Sequence, residues 1–158
     1  MGAETKREHA AATIRVFRVD DVQAVAAIGR LTPEAANWTE EGYQEALSWL
    51  EVVALVCEYD RRIAGFIIGR QAADQAEILN LAVARSARRK GQGGALVKAA
   101  LDEFRMRRVS RVFLEVRESN ETGIAFYEKQ GFSRTSRRPG YYRDPDEAAI
   151  VMEMKFGV

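Results

Sequence analysis

The most chemically suggestive stretch of the sequence is a run of three cations followed by a glycine-rich turn, Arg88-Arg89-Lys90-Gly91-Gln92-Gly93-Gly94. It follows an apolar run, Ile78 to Val83, and precedes apolar residues at helical spacing, which predicts a strand, a turn and a helix. Glycines let a ligand approach the backbone, and the free amides at a helix start carry the positive end of the helix dipole. We therefore predict that the amides of residues 89 to 94 bind a phosphate group.

A second candidate group is a glutamate near the end of a strand, followed by a tyrosine on the next helix. Alternation over Arg111 to Arg117 places Glu115 on the face opposite the strand's aliphatic residues. Ser119 or Asn120 is expected to cap the following helix, and Tyr127 lies about two turns into it. These residue types suit general acid–base chemistry, although a salt-bridged glutamate and a core tyrosine would give the same local pattern.

Composition argues against several other classes of site. The chain has 158 residues, 47% hydrophobic and 30% charged, and a net charge of +1, which does not favour general nucleic-acid binding. With only Cys57 and His9, neither a disulfide framework nor a metal site nor a Ser-His-Asp triad is expected. No apolar run reaches the 18 or so residues of a membrane span, and no signal peptide is recognisable, so we expect a cytoplasmic protein without a membrane partner.

Periodicity along the chain predicts the element order β-α-α-β-β-β-α-β-α-β-β. We expect these elements to form one domain over residues 13–158, after a flexible N-terminal tail at residues 1–12. Leu50 is expected on the buried face of the second helix. Near the end of the chain, residues 139–147 read as a loop, whose adjacent tyrosines would either pack over the sheet or recognise a substrate.

The spacing Arg88-x-x-Gly91-x-Gly93 resembles the pyrophosphate-binding turn of the GNAT superfamily of acetyl-CoA-dependent N-acetyltransferases, [Q/R]-x-x-G-x-[G/A]. The similarity runs from about Ile14 to Lys155. Within the superfamily, the segments WTE, LEVRESN, FYEKQGF and GYYRDPDEAAIVM look most like the RimI-type ribosomal-protein-alanine N-acetyltransferases. Three positions depart from the family pattern: Gln92 and Gly94 replace an apolar residue and an arginine, and Gly123 replaces a commoner alanine.

The resemblance implies an α/β (α+β) fold of the GNAT type, with a mixed, mostly antiparallel twisted sheet and helices on both faces. It implies acetyl-CoA as cosubstrate and no metal. The residues expected to contact acetyl-CoA by this resemblance are Leu81, Ala82, Val83, Arg88, Arg89, Lys90, Gly91, Gln92, Gly93, Gly94, Asn120 and Tyr127. It also implies Glu115 as the catalytic base and Tyr127 as the catalytic acid, both facing one cleft, with Glu77 on the neighbouring strand as the alternative base.

The implied acceptor is the N-terminal amino group of a protein, of the ribosomal protein S18 type. An α-amino group with a pKa near 8 is largely protonated at pH 7, so a base is required, and a proton donor assists the departing thiolate. Acidic residues near the expected groove favour a basic peptide; they are Glu40, Glu41, Asp144, Asp146 and Glu147. A lysine or small-molecule amine acetyltransferase and a non-catalytic acyl-CoA-binding module remain open alternatives.

Overall fold

The computed structural model describes residues 12–88 and 90–157, so all but Ala12 of the predicted tail lies outside the described residues. Within them the elements follow the predicted order. Their bounds are β1 Thr13–Val16, α1 Val22–Arg30, α2 Glu40–Leu47, β2 Val52–Tyr59, β3 Arg62–Ala72, β4 Gln75–Val83, α3 Gln92–Met106, β5 Arg111–Arg117, α4 Glu121–Lys129, β6 Ser133–Tyr142 and β7 Glu147–Lys155. No helix in this part of the chain is long and apolar enough to cross a membrane.

The seven strands of the described chain form one sheet in the order β1-β2-β3-β4-β5-β7-β6. The β4–β5 pair is parallel and the other neighbouring pairs are antiparallel. Two apolar clusters cover opposite faces: one contains the buried residues of α1 and α2, the other those of α3 and α4. The prediction of a mixed, mostly antiparallel sheet with helices on both faces is confirmed.

Helix α3 packs closely on the sheet because β3 carries glycines beneath it. A Cβ at Gly69 would lie 2.9 Å from the Phe104 ring, and one at Gly65 would lie 3.2 Å from a Leu96 methyl carbon. Both side chains are fully buried. The position of the N-terminal end of α3 over β4 follows from this packing.

Two local predictions were wrong. Leu50 is 81% exposed, because α2 ends at Leu47 and does not carry its apolar face that far. Strand β6 continues through Tyr142, where a loop was predicted from Pro139 onward. Proline is tolerated there because β6 is an edge strand, and the register with β7 shifts between Arg138 and Tyr142.

Candidate active site

The site lies where the parallel strands β4 and β5 separate. They pair only from Gln75 and Arg111 to Ile78 and Leu114. Immediately afterwards the register between β3 and β4 shifts, which makes Leu79 the extra residue of a β-bulge. Beyond Ile78 and Leu114 the two strands are no longer paired, which leaves a gap between the ends of β4 and β5.

The backbone at the end of β4 faces this gap. The Ala84 amide donates to the Ala64 carbonyl at 2.7 Å. In an antiparallel pair, every second residue directs its N–H and C=O groups to the neighbouring strand. Ala82 therefore directs both groups to β3, whereas the N–H and C=O groups of Leu81 and Val83 point to the β5 side. Leu81 and Val83 are thus placed to meet a ligand. Ala82 is not, because its peptide groups belong to the sheet and its side chain is 3% exposed within the α1–α2 cluster.

The predicted phosphate turn has the expected backbone. Gly91 precedes the first residue of α3 with φ +76°, in the left-handed region that favours glycine. The first helical bond is from the Ala95 amide to the Gly91 carbonyl at 3.0 Å, which leaves the amides of Gln92, Gly93 and Gly94 without helical acceptors. Apart from its chain neighbours, no described residue has an atom within 4 Å of where a Gly91 Cβ would stand, so the turn is open on that side.

The cations of the turn are partly engaged within the protein. Arg88 donates to the Val83 carbonyl at 3.1 Å and to the Thr32 hydroxyl at 3.4 Å, which braces the turn against β4 and the end of α1. The Lys90 ammonium lies 5.4 Å from the centre of the Tyr59 ring. Arg89 lies outside the described residues. Ligand contacts by these three side chains stay predictions.

The two departures from the family pattern in the turn have different surroundings. Gln92 is 5% exposed, and no described residue hydrogen-bonds to its buried Oε1. Because this side chain is buried, a ligand at the turn would meet the backbone N–H of Gln92. Gly94 lies beside the side-chain amide of Gln130, whose Nε2 is 3.3 Å from where a Gly94 Cβ would stand.

A cleft of about 350 Å³ adjoins Gly94 between α3 and the end of α4. It lies on the sheet face opposite Glu115, and its lining includes Lys98 and Lys129.

Glu115 occupies the other face of the sheet at the gap. Its side chain is 9% exposed, and Oε1 accepts a hydrogen bond from Arg138 Nη1 at 2.6 Å. Oε2 is buried, and no described residue hydrogen-bonds to it in regular geometry. The phenol of Tyr141 lies near this carboxylate: hydrogen bonding with Glu115, and then burial, raises the pKa of Tyr141 to about 12.

Glu77 lies on the same face, beside Glu115. It is paired in register with Phe113, two residues before Glu115. Burial, and then the Glu115 carboxylate, raises the pKa of Glu77, whereas Arg138 opposes that rise. The two carboxylates are close enough to influence each other's charge, so Glu77 remains a second candidate base.

Tyr127 packs on the α3–α4 side, against the rings of Phe126 and Phe132 at 5.1 and 5.9 Å between centroids. Burial raises the pKa of this phenol well above its usual value, with a smaller effect from Tyr142. Glu115 and Tyr127 lie on opposite faces of the sheet. That both face one cleft stays a prediction, and the gap between β4 and β5 is where a ligand would meet both.

Asn120 is the residue that caps α4, since its Oδ1 accepts from the Gly123 amide at 2.9 Å. A Cβ at Gly123 would lie 2.5 Å from Asn120 Nδ2, which explains the glycine in place of alanine. Of the two capping residues considered, Ser119 is thereby excluded.

Two residues at the site were missed by sequence reasoning. Asn80, 4% exposed, accepts from the Ala36 amide at 3.1 Å and donates to the Ala36 carbonyl and the Tyr43 hydroxyl, both at 3.3 Å, so it fixes the α1–α2 loop onto β4. A polar residue between two leucines was the available signal. Arg138 offered none, because β6 is exposed on both faces and shows no alternation.

Comparison with known proteins places this arrangement in a family. The model of the acetyltransferase (GNAT) family matches residues 11–132. A [ribosomal protein bS18]-alanine N-acetyltransferase of Escherichia coli (strain K12) is 39% identical over 95 residues, 59% of this chain and 64% of that protein, so the match spans less than two thirds of the relative. The protein of that name from Salmonella typhimurium (strain LT2) is 34% identical over 131 residues, 75% of this chain and 88% of the relative.

Among solved structures, the ribosomal-protein-S18-alanine N-acetyltransferase from Escherichia coli superposes with a TM-score of 0.83 at 30% identity, covering 94% of this chain and 96% of that one. The predicted resemblance to GNAT enzymes and their ribosomal-protein-alanine branch is confirmed. The family match covers more than half of the 158 residues, and the chain therefore belongs to the acetyltransferase (GNAT) family.

Proposed function

We propose that the protein transfers the acetyl group of acetyl-CoA to the N-terminal α-amino group of a protein whose first residue is alanine, as in ribosomal protein S18. The observation that carries the proposal is the Glu115 carboxylate, buried at the gap beyond the β4 bulge with one oxygen still free to accept a proton. The names of the bacterial relatives support the acceptor class.

Acetyl-CoA would lie across the gap, with its pyrophosphate on the turn. Support comes from the open backbone at Gly91 and from the three unpaired amides of Gln92, Gly93 and Gly94. A gap-facing amide of Leu81 or Val83 would donate to the thioester oxygen as that oxygen gains charge. Asn120, which caps α4, and Tyr127, in the last turn of α4, are the proposed contacts on the other side of the gap.

The acid–base steps are assigned by charge and proton affinity. The incoming amine must lose a proton to attack the thioester carbon, and Glu115 Oε2 would accept it directly or through a water. Tyr127 would give its proton to the departing thiolate. A phenol whose pKa is raised by burial stays protonated at neutral pH, so it is in the right form to act as an acid.

The acceptor groove would favour a basic peptide, although fewer carboxylates than expected are available to attract it. Glu147 accepts from Arg117 at 3.3 Å and from the Ser119 amide, so its charge is satisfied within the protein. The other four acidic residues are exposed; they are Glu40, Glu41, Asp144 and Asp146. Attraction by exposed charges is screened over about 8 to 10 Å at ordinary ionic strength, so added salt should raise the KM of a basic peptide.

A lysine or small-amine acetyltransferase is the second candidate, because the acetyl-CoA half of the site does not select the acceptor. The deciding experiment incubates the protein and acetyl-CoA with an S18 N-terminal peptide and with an N-terminally blocked, lysine-containing peptide of matched charge. Acetylation of the first peptide alone supports the proposal. Acetylation of the blocked peptide alone overturns it, and the absence of CoA release with every amine tried would favour a non-catalytic binding module.

A further inference from the structure

Arg138, on the exposed edge strand β6, reaches across to the proposed catalytic carboxylate. Its side chain is 58% exposed, yet its Nη1 lies 2.6 Å from Glu115 Oε1, and its guanidinium lies 5.6 Å from the centre of the Tyr141 ring. The pair joins residues 23 positions apart. An arginine so exposed, bound to a carboxylate so buried, suggests a role in holding that carboxylate.

The two oxygens of Glu115 are in different situations. Oε1 accepts from Arg138, whereas Oε2 is buried and has no regular hydrogen-bond partner among the residues that the structure describes. A buried acceptor without a donor destabilises the protein unless a ligand or a water supplies the missing hydrogen bond. The free oxygen is therefore the one available to an incoming amine or to a bridging water.

The charge of Arg138 also matters, because Glu115 and Glu77 are neighbours on one face. Two nearby carboxylates disfavour each other's ionisation, and a cation beside them opposes that effect. Arg138 acts in this sense on Glu77, whose raised pKa it partly offsets. Without Arg138, burial and the Glu115 carboxylate would raise the pKa of Glu77 further.

We propose that Arg138 is a positioning residue for the acetyl transfer, which holds Glu115 Oε1 so that Oε2 stays oriented towards the gap and free to take the acceptor's proton. This inference rests on the proposed function. The charged and titratable side chains around Glu115 are Glu77 from β4, Arg117 on β5 itself, and Arg138, Tyr141 and Tyr142 from β6. Strand β7 contributes Val151 directly opposite.

Arg137 provides a matched control on the same strand. It is 53% exposed and pairs with Glu118 through Nε at 2.8 Å and Nη2 at 3.0 Å. Arg137→Met therefore removes one exposed β6 cation and one carboxylate pair, as Arg138→Met does, but away from Glu115. Differences between the two variants report the contact with Glu115 rather than the loss of charge or of edge-strand packing.

The experiment measures kcat/KM for an alanine-first basic peptide from about pH 5.5 to 8 in the wild type and in both variants. Each value is divided by that of the wild type, which cancels the titration of the peptide's own amine. Arg138→Met is expected to lower kcat/KM about ten- to a hundredfold near pH 6 and less at pH 8, because the pKa of Glu77 rises when Arg138 is lost, and the proton that Glu77 then holds beside Glu115 is released at higher pH. Arg137→Met should stay near the wild-type value throughout, and Arg138→Lys, which keeps the charge, should recover the pH dependence of the wild type.

A double-mutant cycle tests whether Arg138 acts through Glu115. In a Glu115→Gln background, Arg138→Met should cause little further loss, since the group that it positions is no longer a base. A loss by Arg138→Met that is independent of pH, equal to that of Arg137→Met, or fully retained in the Glu115→Gln background would overturn the inference. Failure of the proposed function is separately visible, because the wild type would then leave the peptide unmodified or Glu115→Gln would be as active as the wild type.

Discussion

The left-handed backbone at Gly91 gives a quantitative prediction for acetyl-CoA binding. Gly91→Ala places a Cβ in a conformation with φ +76°, which costs about 1 to 2 kcal/mol for a residue other than glycine. No atom lies within 4 Å of that Cβ, so the cost is conformational and not a clash within the fold. This conformational cost can lower either the stability of the free variant or its affinity for acetyl-CoA.

If the free variant keeps the turn, the free energy of unfolding falls by the full strain and the affinity for acetyl-CoA is unchanged. If the free variant relaxes the turn, its stability is preserved, and binding must restore the strained backbone. Affinity then falls by at most about five- to thirtyfold, the equivalent of 1 to 2 kcal/mol. The losses in unfolding and binding free energy should therefore add up to about 1 to 2 kcal/mol.

Isothermal calorimetry with acetyl-CoA measures the loss in binding free energy, and urea unfolding measures the loss in unfolding free energy. Gly91→Asn is the matched control, because asparagine tolerates the left-handed region and adds a Cβ that has a similar effect on the unfolded chain. Smaller losses are expected for asparagine than for alanine. Wild-type stability and affinity in Gly91→Ala would refute the reasoning, and equal affinity losses in both variants would show that the Cβ obstructs the ligand directly.

Three further predictions concern protons. Glu115→Gln should lower kcat/KM by about 10² to 10⁴ with unchanged acetyl-CoA affinity, and the defect should shrink from about pH 7 to 9 as the amine loses its proton unaided; a constant defect would favour Glu77 as the base. Tyr127→Phe should lower mainly kcat, and the wild type should show no loss from titration of this phenol below about pH 10, because burial raises its pKa; equal kcat in both proteins would exclude its role as the acid. The hydrogen bond from Arg15 lowers the pKa of Asp21 in the folded protein, so the ionised Asp21 stabilises the fold above the ordinary carboxyl pKa of about 3.9, and this stabilisation is lost as the pH falls through the lowered pKa. Asp21→Asn should therefore be less stable than the wild type at pH 7. Urea unfolding should find a smaller difference in stability at pH 3.

Local patterns predicted much of the site. The apolar run and the glycines identified the β4–α3 turn, and strand alternation placed Glu115 opposite the core residues of β5. Strict alternation is interrupted within β4, because the bulge at Leu79 places Asn80 and Ala82 on the α1–α2 face. A bulge depends on pairing with a distant strand, so local spacing does not reveal it.

The partners of Glu115 could not be predicted for a related reason. Arg138 lies on an edge strand whose residues are nearly all exposed, so hydrophobic periodicity gave no face assignment. Its contact also depends on a register shift between β6 and β7. The separation of Glu115 and Tyr127 onto opposite faces likewise required knowledge of how α4 packs, which the order of elements alone does not give.

N-terminal acetylation is tested most directly by intact-mass analysis of an alanine-first S18 peptide after incubation with the protein and acetyl-CoA. We expect the peptide to gain one acetyl group and fragmentation to show that the added mass is on the first residue. The Glu115→Gln protein should produce far less product in the same time. Acetylation confined to a lysine side chain, or a wild-type protein that leaves the free N-terminus unmodified, would contradict the proposed function.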